Sequence, residues 1–449
     1  MSTDGPKKMT DVATGDQGHT GGAKPAAQPA AAAPQQPAAA PAPAQSPEPA
    51  PEPEPEPEPP APTPAAFELD LDDLPESPDQ PSSSEITDNF DHPVAYKFAF
   101  IGVGQAGGRI VKTFQDLGYN RICAVNTAVA DLSELKSFPA GAKLDVGEQQ
   151  GAGKDPATAA RIVQGKEEDF FDLYTRCWGD EVDYAFICLS GAGGTGAGAY
   201  AKAAEVAKNY MRSKKRPNRV GVIMALPKDS EGQRAAKNVL YSMRTLTKLN
   251  LSPIIFIDNE RFKELYGTKV AVQQEKPASN ASTAQLLHTF NRLAGTESED
   301  VGGTTYDPAD FSRCLDSGVV AFAATTIRQW ASPSDISGPI RDQLKRNVLA
   351  SVDLTKGTVA GLLYVISGAA WDGPNPVTVG DLDHGTEMMN RILTPKDSAV
   401  FPGVYPASGK AGIKVLAMVG GLPYPTDRIK DLAEKAGETR DSVADFLGV

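Results

Sequence analysis

Five glycines fall within Ser190-Gly-Ala-Gly-Gly-Thr195-Gly-Ala-Gly198, between an apolar run at 184–189 and an Ala-rich helical stretch. So many glycines weaken a helix start unless something occupies it. Backbone N–H groups without Cβ atoms around them can approach a phosphate closely, and a helix N-terminus favours its charge. A second junction of the same kind lies upstream, where Gly102-Val-Gly-Gln-Ala-Gly-Gly108 follows a strand pattern at 97–103. It runs into 106–116, with Ile110, Val111 and Phe114 at helical spacing. Two glycine-rich junctions aimed at one ligand imply a polyphosphate held on a doubly wound, Rossmann-like α/β sheet.

Further strand patterns at 121–125, 219–226 and 253–257 alternate with helical sequence, which predicts a mostly parallel sheet. Residues 280–294 read as a helix with Leu286, Leu287, Phe290 and Leu293 on one side, closing a first domain at 94–296. Beyond a loop at 302–310, strands are predicted at 319–326, 358–367 and 413–419. Gly/Pro punctuation at 351–357, 373–376 and 401–412 suits a smaller α+β domain over 297–424. The charged tail at 425–449 carries Ile429, Leu432, Val443, Phe446 and Leu447, enough for one or two short helices that dock on the body or on a partner.

Residues 1–93 are different in kind. They are Pro/Ala-rich and repeat Pro-Glu four times from Pro51 to Glu58, so they are expected to form a long disordered arm. Residues 1–90 hold 16 acidic residues against three lysines, which is the whole formal net charge of −13 and leaves the remainder neutral. A neutral body disfavours direct nucleic-acid binding, and an acidic arm repels an anionic membrane. Within the arm, Phe67-Glu-Leu-Asp-Leu-Asp-Asp-Leu74 alternates apolar and acidic residues, the pattern of a short docking segment for a protein partner or of a solvated linker. Cys123, Cys177, Cys188 and Cys314 have no metal-ligand spacing, so no metal site is expected and the thiols read as free in a reducing compartment. With no apolar leader and no stretch of roughly 18 apolar residues, the expectation is a soluble cytoplasmic protein without membrane insertion. His288 is expected to pack on its helix, with His19, His92 and His384 in loop or disordered sequence.

The first loop alone fits a dinucleotide site, and hence an oxidoreductase, but that site calls for an acidic residue about 20 positions on. The second strand ends instead at Asn126-Thr127. Gly153-Lys154 is followed by Asp and lacks the upstream glycine of a P-loop.

The signature loop Ala192-Gly-Gly-Thr-Gly-Ala-Gly198 resembles that of the tubulin/FtsZ superfamily, in its FtsZ-like or CetZ-like branch. The resemblance runs in order over about 94–424. It implies a GTPase that binds GTP and GDP, with Mg2+, through four phosphate-facing loops. These contribute Gly104, Gln105, Ala106 and Gly107; Asn126; Gly151, Ala152 and Gly153; and Gly191, Gly193, Gly194, Thr195 and Gly196. Pro227-Lys-Asp-Ser-Glu231 is similar to the ribose-contacting loop, with Glu231 at its acidic position, and Asn259 stands where the family reads guanine. Thr305-Tyr-Asp307-Pro-Ala-Asp310 falls where the family carries its synergy loop, which implies that Asp307 and Asp310 are catalytic and complete the site of the next copy in a head-to-tail homopolymer. Thr305 replaces a family asparagine, Pro308 separates the two aspartates, and Ala128 replaces a family aspartate. These departures keep open a second reading, a GTP-binding filament scaffold with little hydrolysis. Arg234 stands one position before the arginine expected after the ribose glutamate, and Asn280 or Ser282 replaces an aromatic base contact.

Overall fold

Alternating strands and helices build one sheet covered on both faces. The computed structural model describes residues 86–147, 151–266, 275–296, 304–345, 350–410 and 412–448. Its first half runs β1 (Phe98–Val103), α1 (Gly104–Asp116), β2 (Ile122–Asn126), α2 (Val129–Ser133), β3 (Lys143–Asp145), α3 (Pro156–Ile162), α4 (Glu167–Trp178), β4 (Tyr184–Ser190) and α5 (Thr195–Ser213). There follow β5 (Val220–Leu226), α6 (Gly232–Leu246), β6 (Ile254–Asp258), α7 (Asn259–Tyr266) and α8 (Glu275–Ala294). The second half comprises α9 (Pro308–Leu315), β7 (Val319–Ile327), α10 (Ser334–Lys345), β8 (Val359–Ser367), α11 (Ala369–Asp372), α12 (Val379–Ile392), β9 (Ala399–Ala407), β10 (Gly412–Leu422), α13 (Thr426–Ala436) and α14 (Asp441–Leu447).

Among the described residues ten strands form one sheet in the order β3-β2-β1-β4-β5-β6-β7-β10-β8-β9. Strands β1 to β6 pair in parallel. The order reverses between β1 and β4, which opens a crevice beyond their C-terminal ends. β7 continues the sheet through the pairs Ile254↔Val319 and Ile255↔Val320, and β10 runs antiparallel to both β7 and β8. The strand-rich second half therefore extends the first sheet instead of forming its own.

Every residue of β1 is buried, and alternation sends Ala99, Ile101 and Val103 to one face and Phe98 and Phe100 to the other. On the first face α4 and α5 contribute Tyr174, Trp178, Tyr200 and Tyr210, with the rings of Tyr174 and Trp178 stacked 3.8 Å apart. On the second, Phe114 of α1 stacks on Phe100 at 4.0 Å, and α8 adds Leu286, Leu287, Phe290 and Leu293. These stacked aromatics bury the largest apolar areas in the fold and fix how the helices lie on the sheet.

Several elements differ from expectation. The stretch at 401–412, read as punctuation, contains most of β9, which pairs in parallel with β8 at the sheet edge. Val404 turns its N–H away from β8 to the Thr304 carbonyl at 2.8 Å. Pro402 and Pro406 share that parity, so neither is asked for a ladder hydrogen bond, and an edge strand tolerates them. Helix α8 starts at Glu275, ahead of 280; Pro277 is tolerated there because it sits in the first turn, where no intrahelical N–H donor is needed. Residues 86–93, assigned to the arm, pack on the body: Asp88 and Arg121 form a buried ion pair at 2.7 Å, and Phe90 lies edge-on to Tyr119. The rest of the predicted arm, including residues 67–74, lies outside the described residues. His384 lies in α12, and His288 packs against Tyr119, its ring nitrogen 3.1 Å from the hydroxyl. The tail helices α13 and α14 dock on the body, burying Ile429, Leu432 and Val443, and Gly437 closes α13 in the left-handed conformation. The four cysteines are free and buried. Among the described residues no helix is long and apolar enough to cross a membrane.

Candidate nucleotide site

The crevice between β1 and β4 holds a cavity of about 620 Å3. Two helices begin at its floor without a side-chain cap. Neither α1 nor α5 has an acidic residue in its first turn, and neither N-cap position, Val103 or Gly194, supplies a side-chain acceptor. Three other helix starts do carry a side-chain cap, Asp155 on α3, Asp307 on α9 and Thr378 on α12. Helices α2, α4, α6, α11, α13 and α14 do not, so what distinguishes α1 and α5 is that both open onto one cavity. The uncapped first turns leave N–H groups and the positive ends of two helix dipoles facing the same space, which suits an anion.

Gly104, Gln105 and Ala106 line the cavity from α1, and Gly193, Gly194, Thr195 and Gly196 line it from the junction into α5. Asn126 lines it from the end of β2, and Gly151, Ala152 and Gly153 from the loop before α3. Glu231 borders the side nearest α6. Gly107, Gly191 and Asn259 do not line it. Gly107 serves packing: a Cβ there would stand 2.2 Å from the Cys188 carbonyl oxygen, so glycine is what lets α1 lie against β4. Gly191 lies under the loop, where its carbonyl accepts from Ser242 Oγ at 3.0 Å. Asn259 begins α7, donates from Nδ2 to the Leu226 carbonyl at 3.0 Å and accepts from Ser279 Oγ.

Side chains hold the loops in register. Thr127 and Thr195 place their hydroxyls 2.7 Å apart, tying the end of β2 to the start of α5. Asn126 donates to Asp131 at 2.9 Å. Arg234 donates to the Gly153 carbonyl, and Asn238 Nδ2 reaches the carbonyls of Lys154, Ala192 and Gly193 at 3.1, 3.0 and 3.3 Å. Asn238 therefore joins two loops that line the cavity, and sequence reasoning missed it. A signal was present: on α6, Asn238 and Ser242 stand four residues apart among Val239, Leu240 and Met243, and both are buried. A Cβ on Gly194 would come within 2.7 Å of Lys154 Cα, so these two loops touch through backbone atoms.

The charges facing the cavity are Asp131, Lys154, Glu231 and Arg234. Beside it, Arg109 hydrogen-bonds Glu134 at 2.8 Å and holds its carboxyl below the usual range. At Asp155, hydrogen bonds from Thr158 have the same effect.

Asp307 and Asp310 lie apart from this cavity, on the first turn of α9. Asp307 Oδ1 accepts from the Asp310 N–H at 2.8 Å, with Pro308 at the first helical position. Asp310 meets Arg313 at 3.2 Å. Partial burial, with the neighbouring charge of Asp307 adding to it, raises the Asp310 carboxyl above its ordinary value. The two groups read as catalytic are thus in a different place from the cavity-lining loops of their own chain.

The Pro227–Glu231 loop and the start of α7 are braced by the tail. Arg428 of α13, 7% exposed, donates to Asp229 at 2.7 Å and to the Pro227 carbonyl at 2.6 Å, and its Nε lies 3.2 Å from Asp258.

Residues 97–267 match the family described as "Tubulin/FtsZ family, GTPase domain". The tubulin-like protein CetZ of Pyrococcus furiosus is 33% identical over 343 residues, 74% of this chain and 87% of that protein. Cell division protein FtsZ 1 of Pyrococcus abyssi is 30% identical over 329 residues, covering 72% and 80%. Among solved structures, a GTPγS-bound protofilament of CetZ2 from Haloferax volcanii superposes with a TM-score of 0.61 at 19% identity, over 79% of this chain and all of that one. The uncapped helix pair, the order of the loops and these similarities agree: the chain belongs to the tubulin/FtsZ family.

Proposed function

We propose that the chain binds GTP in this cavity and hydrolyses it as part of a head-to-tail homopolymer. The observation that carries the reading is the separation, within one chain, of an uncapped anion site from the Asp307–Asp310 pair. A second copy stacked on the first is needed to bring the two together, and such a contact propagates into a filament. The CetZ2 structure, a GTPγS-bound protofilament, supports this.

Phosphoryl transfer to water is mainly positioning and charge stabilisation. The first turns of α1 and α5 and the loop amides around Gly104–Ala106, Gly151–Gly153 and Gly193–Gly196 hold the phosphates. Glu231 contacts the ribose; Asn259, which the family resemblance assigns to the base, is engaged here with the Leu226 carbonyl and Ser279 and does not line the cavity. Mg2+ bound with the nucleotide supplies further neutralisation of the phosphates. Among the described residues no group of three His, Cys, Asp or Glu side chains could hold such an ion by itself. Asp307 and Asp310 of the second copy orient the attacking water. The raised pKa of Asp310 suits a carboxyl that exchanges a proton with it. Four free thiols fit residence in the cytoplasm.

Turnover measured against protein concentration, with pelleting of polymer, tests the reading. The expected result is a steeper-than-linear rise that Asp307→Ala with Asp310→Ala abolishes while polymer persists. Turnover strictly proportional to concentration, and unaffected by the double substitution, refutes it. The non-hydrolysing scaffold is favoured by the prior engagement of both carboxylates, Asp307 as a cap and Asp310 with Arg313, and predicts stable polymer with intact GTP.

A further inference from the structure

The loop before α3 bends through three left-handed residues: Gly151 at φ 65°, Gly153 at φ 56° and Lys154 at φ 60°. The glycines bear this conformation at no steric cost. A lysine does not, because its Cβ crowds the following carbonyl, and asparagine or glycine would fit better. Strain of this kind, kept in a functional loop, calls for a reason in the side chain.

The surroundings narrow the reason. Lys154 lines the cavity, and its side chain has no hydrogen-bond or ion-pair partner among the described residues. Its backbone is fixed on both sides. Asn238 holds the Lys154 carbonyl, Arg234 holds that of Gly153, and Gly194 abuts the Lys154 Cα. An ammonium with no partner among the described residues is therefore carried on a backbone held by these contacts, next to two helix N-termini that already favour an anion. Ala128 adds no carboxylate to the cavity, whose acidic side chains are Asp131, bonded to Asn126, and Glu231.

We propose that Lys154 supplies a fixed positive charge to the phosphate chain of the bound nucleotide, so that this site prefers triphosphate over diphosphate and retains triphosphate without a divalent cation. The inference rests on the reading of the cavity as a guanine-nucleotide site and adds a determinant of specificity to it. Attraction to one fixed cation grows with the charge on the phosphate chain, so an extra phosphate gains more from Lys154 than the rest of the ligand does. Helix N-termini contribute partial charges only.

The test is competition of GTPγS and of GDP against a fluorescent guanine nucleotide, in Mg2+ and in EDTA. The full chain is compared with Lys154→Asn, which tolerates the left-handed backbone, and with Lys154→Arg, which keeps the charge. The wild type is expected to hold GTPγS in EDTA within about tenfold of its affinity in Mg2+. Lys154→Asn should lose about tenfold for GTPγS in EDTA, equivalent to about 1.4 kcal/mol, and no more than about twofold for GDP, while Lys154→Arg recovers most of the loss. Equal losses for both nucleotides, or none for either, overturn the role of Lys154. A wild type that binds neither nucleotide overturns the reading of the cavity itself, and this inference with it.

Discussion

Replacing Arg428 with methionine should destabilise the body by about 3–5 kcal/mol, the range for removing one partner of a buried ion pair. The structure says where the loss arises. The guanidinium is 7% exposed and Asp258 is 1% exposed, so neither charge is solvated in the fold. Burial pushes the Asp258 carboxyl up, and Arg428 is the main influence holding it down. Without the arginine, Asp258 keeps only the backbone N–H groups of Glu260 at 3.1 Å and Arg261 at 3.5 Å. The bonds to Asp229 and the Pro227 carbonyl are lost as well. Protonation of Asp258 limits the loss, which is why it should not exceed this range. At roughly 2 °C per kcal/mol for a body of this size, the nucleotide-free melting temperature should fall by about 6–10 °C. Asp258→Asn added to Arg428→Met should restore more than half of it, since no unpaired charge then remains. Thermal unfolding of the two variants beside wild type is the assay. A single variant within about 1 kcal/mol of wild type, or a double variant no more stable than the single, refutes the reasoning.

Gly194→Ala should weaken guanine-nucleotide binding at least about tenfold, about 1.4 kcal/mol, because the new Cβ meets backbone at Lys154 Cα and, at 2.9 Å, Asp155 N, which cannot rotate away; calorimetric titration reads it. Asn238→Ala removes the shared donor of three carbonyls and should cost about 1–3 kcal/mol of stability together with a loss of affinity; a variant equal to wild type in both melt and titration contradicts this. His288 is held down to about 3, from 6.5, chiefly by burial, with His92 and Arg292 adding to the effect. Its contribution is therefore complete above about pH 6.5 and declines as pH falls toward 3, by about 1.4 kcal/mol per unit. His288→Gln should flatten that part of the stability profile measured by urea unfolding between pH 7 and 4; an unchanged slope would count against it.

The two strand, glycine loop and helix junctions were legible because their cause is local. Glycine spacing, an apolar run before it and a 3.6-residue period after it all act within about 20 residues; within those loops the family resemblance, not the local pattern, singled out Gly104, Gln105, Thr195 and Gly196, which do line the cavity. Distance in sequence hid the rest. Asn238 works through carbonyls 45 to 84 positions away, and Arg428 through Asp229, 199 positions away. Nothing near either residue announces the partner. Pro402 and Pro406 argued against a strand until the edge position of β9 removed the need for their N–H groups. Asp88 read as one more acid of the arm until Arg121 came within 2.7 Å of it. Gly107 and Gly191 carry the same local signal as their neighbours, yet packing against β4 and hydrogen bonding to Ser242 place them under the loops and out of the cavity. Sequence determined most of the elements and pointed to a polyphosphate site, because propensity and periodicity are short-range. Tertiary structure alone decided which residues face the cavity and which charges are paired, because a buried polar group is defined by its partner, and the partner is brought to it by the fold.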